Sequence, residues 1–148
     1  MSRPAFQPSL KGRALRLLSQ REHSRAELER KLAPHAQEPG ELTQALDELQ
    51  ARDFINDGRA IESVIHRRAG KLGASRIKQE LAAKGLSGEA VAEAMDQLKA
   101  TELERAREVW RKKFGTPAQD AQVRSKQIRF LISRGFTAEV VRRVVQEP

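Results

Sequence analysis

The sequence predicts an all-α protein made of three tandem three-helix bundles of helix-turn-helix-like type. Three observations predict it. Apolar residues recur at helical spacing along almost the whole chain. Aromatic residues make up only 4% of the chain (five Phe, one Trp and no Tyr), a poor supply for a β-sandwich or barrel. The pattern of caps, stripes and turns also returns with a period near 50 residues, the mark of a tandem array.

The first helix opens with the apolar residues Ala14, Leu15, Leu17 and Leu18. Ser24 and Glu27 then fit a capping box, in which the Ser hydroxyl takes the N3 amide and the Glu reaches back to the Ser amide. Leu28 and Leu32 follow one turn apart, and Pro34 stops this second helix. Glu27 and Lys31, four residues apart, are expected to form a surface pair. Pro39-Gly40-Glu41 suits the start of a third helix. Its Leu42, Ala45, Leu46 and Leu49 make an i, i+3, i+4, i+7 stripe.

Asn56-Asp57 can cap a fourth helix carrying Ala60, Ile61, Val64 and Ile65, which Gly70 and Gly73 punctuate. A fifth helix carries Ile77 and Leu81 and ends at Lys84-Gly85, with Gly as the left-handed residue. Ser87 is the expected cap of a sixth helix, with Val91, Ala94, Met95 and Leu98 as its stripe. Thr101 and Glu104 match a second capping box. Leu103, Ala106, Val109, Trp110 and Phe114 then form the seventh helix, which ends at Gly115-Thr116-Pro117. The eighth starts near Asp120, carries Val123, Ile128, Leu131 and Ile132, and ends at Arg134-Gly135. Thr137 caps a ninth, whose stripe is Val140, Val141, Val144 and Val145. Trp110, Phe130 and Phe136 are expected to pack in the core of the third bundle.

The cycles superpose. Residues 84–95 map onto 134–145 at an offset of 50 without a gap. An offset of 49 puts Leu28 on Ile77, Leu32 on Leu81, Leu42 on Val91, Leu46 on Met95 and Leu49 on Leu98. The expected organisation is a disordered tail at 1–9 and repeats at 10–55, 56–99 and 100–148. Each repeat is too small to be stable alone, so neighbours brace one another.

The chain of 148 residues is 39% hydrophobic and 32% charged, with mean hydropathy −0.64. No run approaches the roughly 18 apolar residues of a membrane span. The N-terminus has no apolar signal region, so a cytoplasmic protein is expected. Cysteine is absent, which excludes disulfides, thiol catalysis and thiolate metal sites. Phosphate-loop, dinucleotide and serine-hydrolase signatures are missing. His23, His35 and His66 are scattered, form no helical metal pair and are expected to be exposed polar positions. No enzyme activity, cofactor or metal is therefore expected. No sustained heptad seam is present, so the expected state is a monomer.

Charge is the informative feature. Lys and Arg number 28 against 20 Asp and Glu, a net charge of +8 with a pI near 10.4. Residues 101–148 carry 11 basic and 6 acidic groups, while residues 1–50 carry 8 and 7. The candidate basic face comprises Arg67, Arg68, Lys71, Arg76, Lys78 and Lys84 in the middle repeat. In the last repeat it comprises Arg105, Arg107, Arg111, Lys112, Lys113, Arg124, Lys126, Arg129 and Arg134. Aligned along an array, such residues form a stripe suited to an elongated polyanion or filament.

Four stretches, ALRLLSQREHSRAEL (14–28), RIKQELAAKGL (76–86), WRKKF (110–114) and KQIRFLISRGF (126–136), occur in an order and spacing that resemble the RecX family. The resemblance spans about residues 10–146. It implies three tandem three-helix repeats in an elongated, curved array. It also implies a regulator, mainly negative, of the recombinase RecA. Such a protein would bind the RecA–single-stranded DNA filament and inhibit its recombinase, ATPase and co-protease activities, in DNA repair and the SOS response. The implied partners are RecA and single-stranded DNA, with double-stranded DNA a further candidate. The alternative is a helix-turn-helix DNA-binding protein, in which a basic second helix enters a major groove. Against it, the basic residues extend over two repeats and do not concentrate on one short helix.

Overall fold

The computed structural model describes residues 7–146. Nine α-helices, one 3-10 turn and no strand occur among the described residues. They are α1 (Leu10–Gln20), α2 (Arg25–Leu32), α3 (Glu41–Ala51), α4 (Asp57–Arg68), α5 (Ala74–Ala83), α6 (Glu89–Ala100), α7 (Glu102–Lys113), α8 (Ala121–Ser133) and α9 (Ala138–Gln146), with the 3-10 turn at Ala33–His35. Of the expected tail, residues 1–6 lie outside the described residues. Ser9 already belongs to the fold, because its hydroxyl accepts from the Gly12 amide at 3.0 Å and caps α1. The chain divides into two compact units. Unit 1 holds the residues up to Ala60 together with Lys84–Leu86, and unit 2 holds Ile61–Ala83 together with the residues from Ser87 onward.

In unit 1, α1, α2 and α3 bury Leu10, Ala14, Leu28, Leu32, Ala45, Leu46, Leu49 and Ile55. Leu17 and Leu18 pack beside them, but Leu15 is exposed. It stands about 100° round the helix from Ala14, and only i+3 and i+4 share a face. Helix α3 begins at Glu41, with Gly40 left-handed (φ 81°) at its cap.

The capping box at α2 forms as expected. The Glu27 amide donates to Ser24 Oγ at 3.1 Å, and the Ser24 amide donates to Glu27 Oε1 at 3.0 Å. The rest of Glu27 differs from expectation, because it is buried and does not pair with Lys31. Arg21 Nη2 donates to its Oε2 at 2.8 Å, and Lys84 Nζ lies 3.9 Å away. Burial pushes this carboxyl up. The Arg21 and Ser24 hydrogen bonds and the Lys84 and Arg21 charges outweigh burial and hold it at about 2.

Lys31 instead meets His23, which is 1% exposed and so is not the surface residue the sequence suggests. Burial, reinforced by the Arg21 and Lys31 charges, pushes its imidazole down. An ammonium can only donate, so Nε2 accepts from Lys31 at 3.1 Å. Nδ1 then carries the hydrogen given to Arg21 O at 3.0 Å.

Two more contacts complete the start of α2. The Arg25 amide donates to Asp57 Oδ1 at 3.1 Å, and Ser24 Oγ donates to Lys84 O at 2.5 Å. Gly85 is left-handed (φ 74°), and a Cβ there would stand 2.4 Å from Ala26 Cβ, so glycine is required on both counts.

Unit 2 repeats this joint with different atoms. The Ala74 amide at the start of α5 donates to Glu102 Oε1 at 2.9 Å, and the Gly73 amide donates to Arg134 O at 2.8 Å. A Cβ on Gly73 would stand 2.3 Å from the Gly135 backbone. Ile77, Leu81, Val91, Met95 and Leu98 are buried, as are Leu28, Leu32, Leu46 and Leu49 of unit 1, while Leu42, the counterpart of Val91, is half-buried. A second cluster buries Ala106, Val109, Trp110, Leu131, Phe136, Val141, Val144 and Val145. On the offset of 50, Gln127 stands where Ile77 stands, and it too is buried. It accepts from Trp110 Nε1 at 3.0 Å and donates to Thr116 O at 3.2 Å.

Several expected features of unit 2 change. Thr101 forms no capping box; its hydroxyl donates to Leu98 O, because Thr101 is also the single residue between α6 and α7. Ser87 does not cap α6, since the left-handed Gly88 (φ 90°) intervenes. Val123 and Ile132 of α8 are exposed while Leu131 is buried. The caps from Asn56, Asp120 and Thr137 form, as do the left-handed turns at Gly85 and Gly135.

Two outcomes follow. A carboxyl lowered on folding stabilises above its unfolded value, near 4.5, and loses that contribution as pH falls towards about 2. Glu27→Gln is expected to cost roughly 2 kcal/mol at pH 7. In urea unfolding, the gap from wild type should shrink to less than half by about pH 3; a constant gap would contradict the buried pair. Separately, Gly73→Ala should cost roughly 1–3 kcal/mol through overpacking against backbone. Gly70→Ala, where a Cβ meets nothing within 4 Å, should be near neutral in the same denaturation series.

Candidate polyanion-binding cleft

Unit 2 carries a cleft of about 540 Å³. Its walls come from the end of α4, the turn Gly70–Leu72, α5, α7 and the end of α8. Six cations line it: Arg68, Lys71, Arg76, Lys112, Lys113 and Arg134. Glu80 is the one carboxylate among the lining residues, and it faces Arg68 Nε at 2.9 Å and Arg67 Nη2 at 4.0 Å.

The sequence builds these positions locally. Helix α5 places Arg76 and Glu80 one turn apart. Arg76 Nη1 donates to Ser133 O at 2.6 Å, answering a carbonyl at the end of α8. Phe130 stands edge-on to Phe114, with centroids 5.5 Å apart and planes at 87°. Lys113 Nζ lies 5.3 Å and Arg134 Cζ 4.8 Å from the Phe130 centroid, so the ring holds two cations against one wall. The arrangement can bind a polyanion. It offers no nucleophile beside a base, and no metal-ligating group of three or more side chains occurs among the described residues.

The fifteen basic residues read from the sequence do not share one surface. The six above meet at the cleft, and Arg67 stands beside it through Glu80. Lys78 lines a different hollow, with Gln79 and Lys99. Lys84 belongs to unit 1 and approaches Glu27. Arg107 pairs with Glu104 at 3.1 Å and Arg111 with Glu108 at 2.5 Å, within α7. Arg124, Lys126 and Arg129 are exposed on α8 and form no ion pair among the described residues.

Arg105 is turned inward. Its Nη1 donates to Ala69 O and Leu72 O at 2.9 and 2.7 Å, its Nη2 to Leu98 O at 3.0 Å, and its Nε to Thr101 Oγ1 at 3.1 Å. That guanidinium ties the ends of α4 and α6 together. Phe130 is half-buried: it packs against the core of the third bundle, as its spacing suggests, and also lines the cleft. The available signal was Arg134 four residues on, which puts a cation over the ring.

The comparisons agree with this architecture. Models of the first, second and third three-helix domains of RecX match residues 11–49, 56–95 and 100–145, in that order. The regulatory protein RecX of Leptothrix cholodnii is 56% identical over 140 residues, covering 95% of this chain and 89% of that protein. The regulatory protein RecX of Ralstonia nicotianae is 47% identical over 146 residues, covering 99% and 92%. A crystal structure of RecX from Lactobacillus salivarius superposes with a TM-score of 0.76 at 21% identity, covering 93% of each chain, and so shares the fold. Three domain matches in order and full-length relatives near half identity have one consequence: this chain belongs to the RecX family of regulatory proteins.

Proposed function

We infer that the protein is a non-enzymatic, mainly negative regulator of RecA. It binds the RecA–single-stranded DNA filament and restrains recombination, ATP hydrolysis and co-protease action, in DNA repair and the SOS response of the cytoplasm. It acts as a monomer of three repeats, 10–55, 56–99 and 100–148. Membership of the RecX family supports a regulatory role. One observation carries the filament reading: six cations from four helices and a turn converge on a single cleft of unit 2. A filament presents phosphates and acidic protein surface over a long path, and a multi-helix basic cleft matches that better than one recognition helix in a major groove. The helix-turn-helix reading needs cations concentrated on one short helix, and here they are not.

Adding the protein to RecA filaments on single-stranded DNA, at or below stoichiometric ratio, should slow ATP hydrolysis. Lys112→Glu with Lys113→Glu, both lining the cleft, should weaken inhibition about tenfold or more, by reversing charge at the interface. Arg111→Glu, outside the cleft, should retain most of it. Circular dichroism should show unchanged helix content in both. No inhibition by wild type would overturn the RecA reading. Full inhibition by the double variant would remove the cleft from the interface. Sequence-specific nanomolar binding to duplex DNA would favour the helix-turn-helix reading instead.

A further inference from the structure

Unit 1 is almost neutral by count, yet its charges are unevenly placed. Helix α1 carries Lys11, Arg13 and Arg16 and no acid. A hollow of about 430 Å³ lies between α1 and the end of α2, lined by Arg13, Arg16, Lys31 and His35, with Leu17 and Leu32 as apolar walls. No carboxylate lines it. Glu41, in the neighbouring hollow that shares Arg13 and His35, already accepts from the Gln37 and Glu38 amides at 2.9 and 3.1 Å. The acids of α2 are also engaged: Glu27 with Arg21, and Glu29 with Arg25 at 3.2 Å. Arg13 and Arg16 form no ion pair among the described residues. Lys31 is held at the rim by an unusual partner, the buried ring of His23. That contact orients the ammonium without neutralising it.

The geometry points to a second anion site, in unit 1, that takes the phosphodiester backbone of a single nucleic-acid strand. Two arginines at i and i+3 share one face of α1 and present planar forks that match phosphate oxygens. A third cation faces them across the hollow. Three uncompensated charges around one small volume suit a compact group with several acceptor oxygens better than carboxylates dispersed over a protein surface. No Phe, Tyr or Trp lines the hollow, whose one ring is the His35 imidazole, so binding follows chiefly the backbone and depends little on sequence. His23 is then a positioning residue, acting through Lys31.

The test uses the full chain and fluorescent oligothymidylate, without RecA, so its outcome is independent of the filament reading. Anisotropy is measured at several salt concentrations. Arg13→Gln with Arg16→Gln should weaken binding about tenfold at low salt and reduce the salt slope by about 1.4, the value for two lost phosphate contacts on a single strand. Arg16→Glu, at an exposed position, guards against misfolding and should weaken binding at least as much per site. The His35 imidazole resonance should move on adding oligothymidylate, and should not move in the double variant. Unchanged affinity and slope in both folded variants would overturn the proposal. Equal affinity for a polyglutamate peptide of the same length, lost equally with Arg16→Glu, would also overturn it and put an acidic protein surface in the hollow.

Discussion

A helix that starts against its neighbours leaves amides that some other group must accept. Both α2 and α5 start in this way, and they solve the problem alike. The first amide of α2, on Arg25, is taken by Asp57, the residue that opens α4. The first amide of α5, on Ala74, is taken by Glu102, the residue that opens α7. One position earlier, Ser24 and Gly73 each donate to a carbonyl just ahead of a left-handed glycine, at Lys84 and Arg134. The donors differ, a hydroxyl in one case and a backbone amide in the other, but the joint is the same.

This constraint settles much of the rest. It requires glycine at 73 and 85, where a Cβ would strike the opposing chain. It removes Glu102 from the surface. It also brings the ends of α4 and α6 close enough for one guanidinium, that of Arg105, to reach both. Helix α8 follows a different rule, since Asp120 next to it in sequence caps it at 2.8 Å. At its buried face, Gln127 replaces the aliphatic residue of the other two bundles and ties Trp110 to the turn at Thr116. A buried amide is tolerated there because both of its ends are satisfied.

The same packing sorts the charges. Net charge describes the whole chain, but binding depends on cations left over after the fold has paired its own. Glu27, Glu102 and Arg105 serve the fold's own joints, whereas Lys71 and Lys113 stand at the cleft in unit 2. In unit 1, near-neutral composition hides a face of α1 with no acid on it, because the acids sit on other helices.

The sequence by itself determined the nine helices of the described residues, most of the buried stripes, the glycine turns, most of the caps and the resemblance to the RecX family. These are readable because periodicity, caps and turns act within about four residues along the chain. Only the tertiary structure decided which polar groups turn inward. His23 looks like a surface histidine and is buried; Thr101 looks like a cap and is a linker; Phe130 packs against the core as expected and also lines the cleft. The partners that anchor the starts of α5 and α2 lie 28 residues away for Ala74 and Glu102 and 60 for Ser24 and Lys84. No local pattern reports them, because they are set by how helices meet in space.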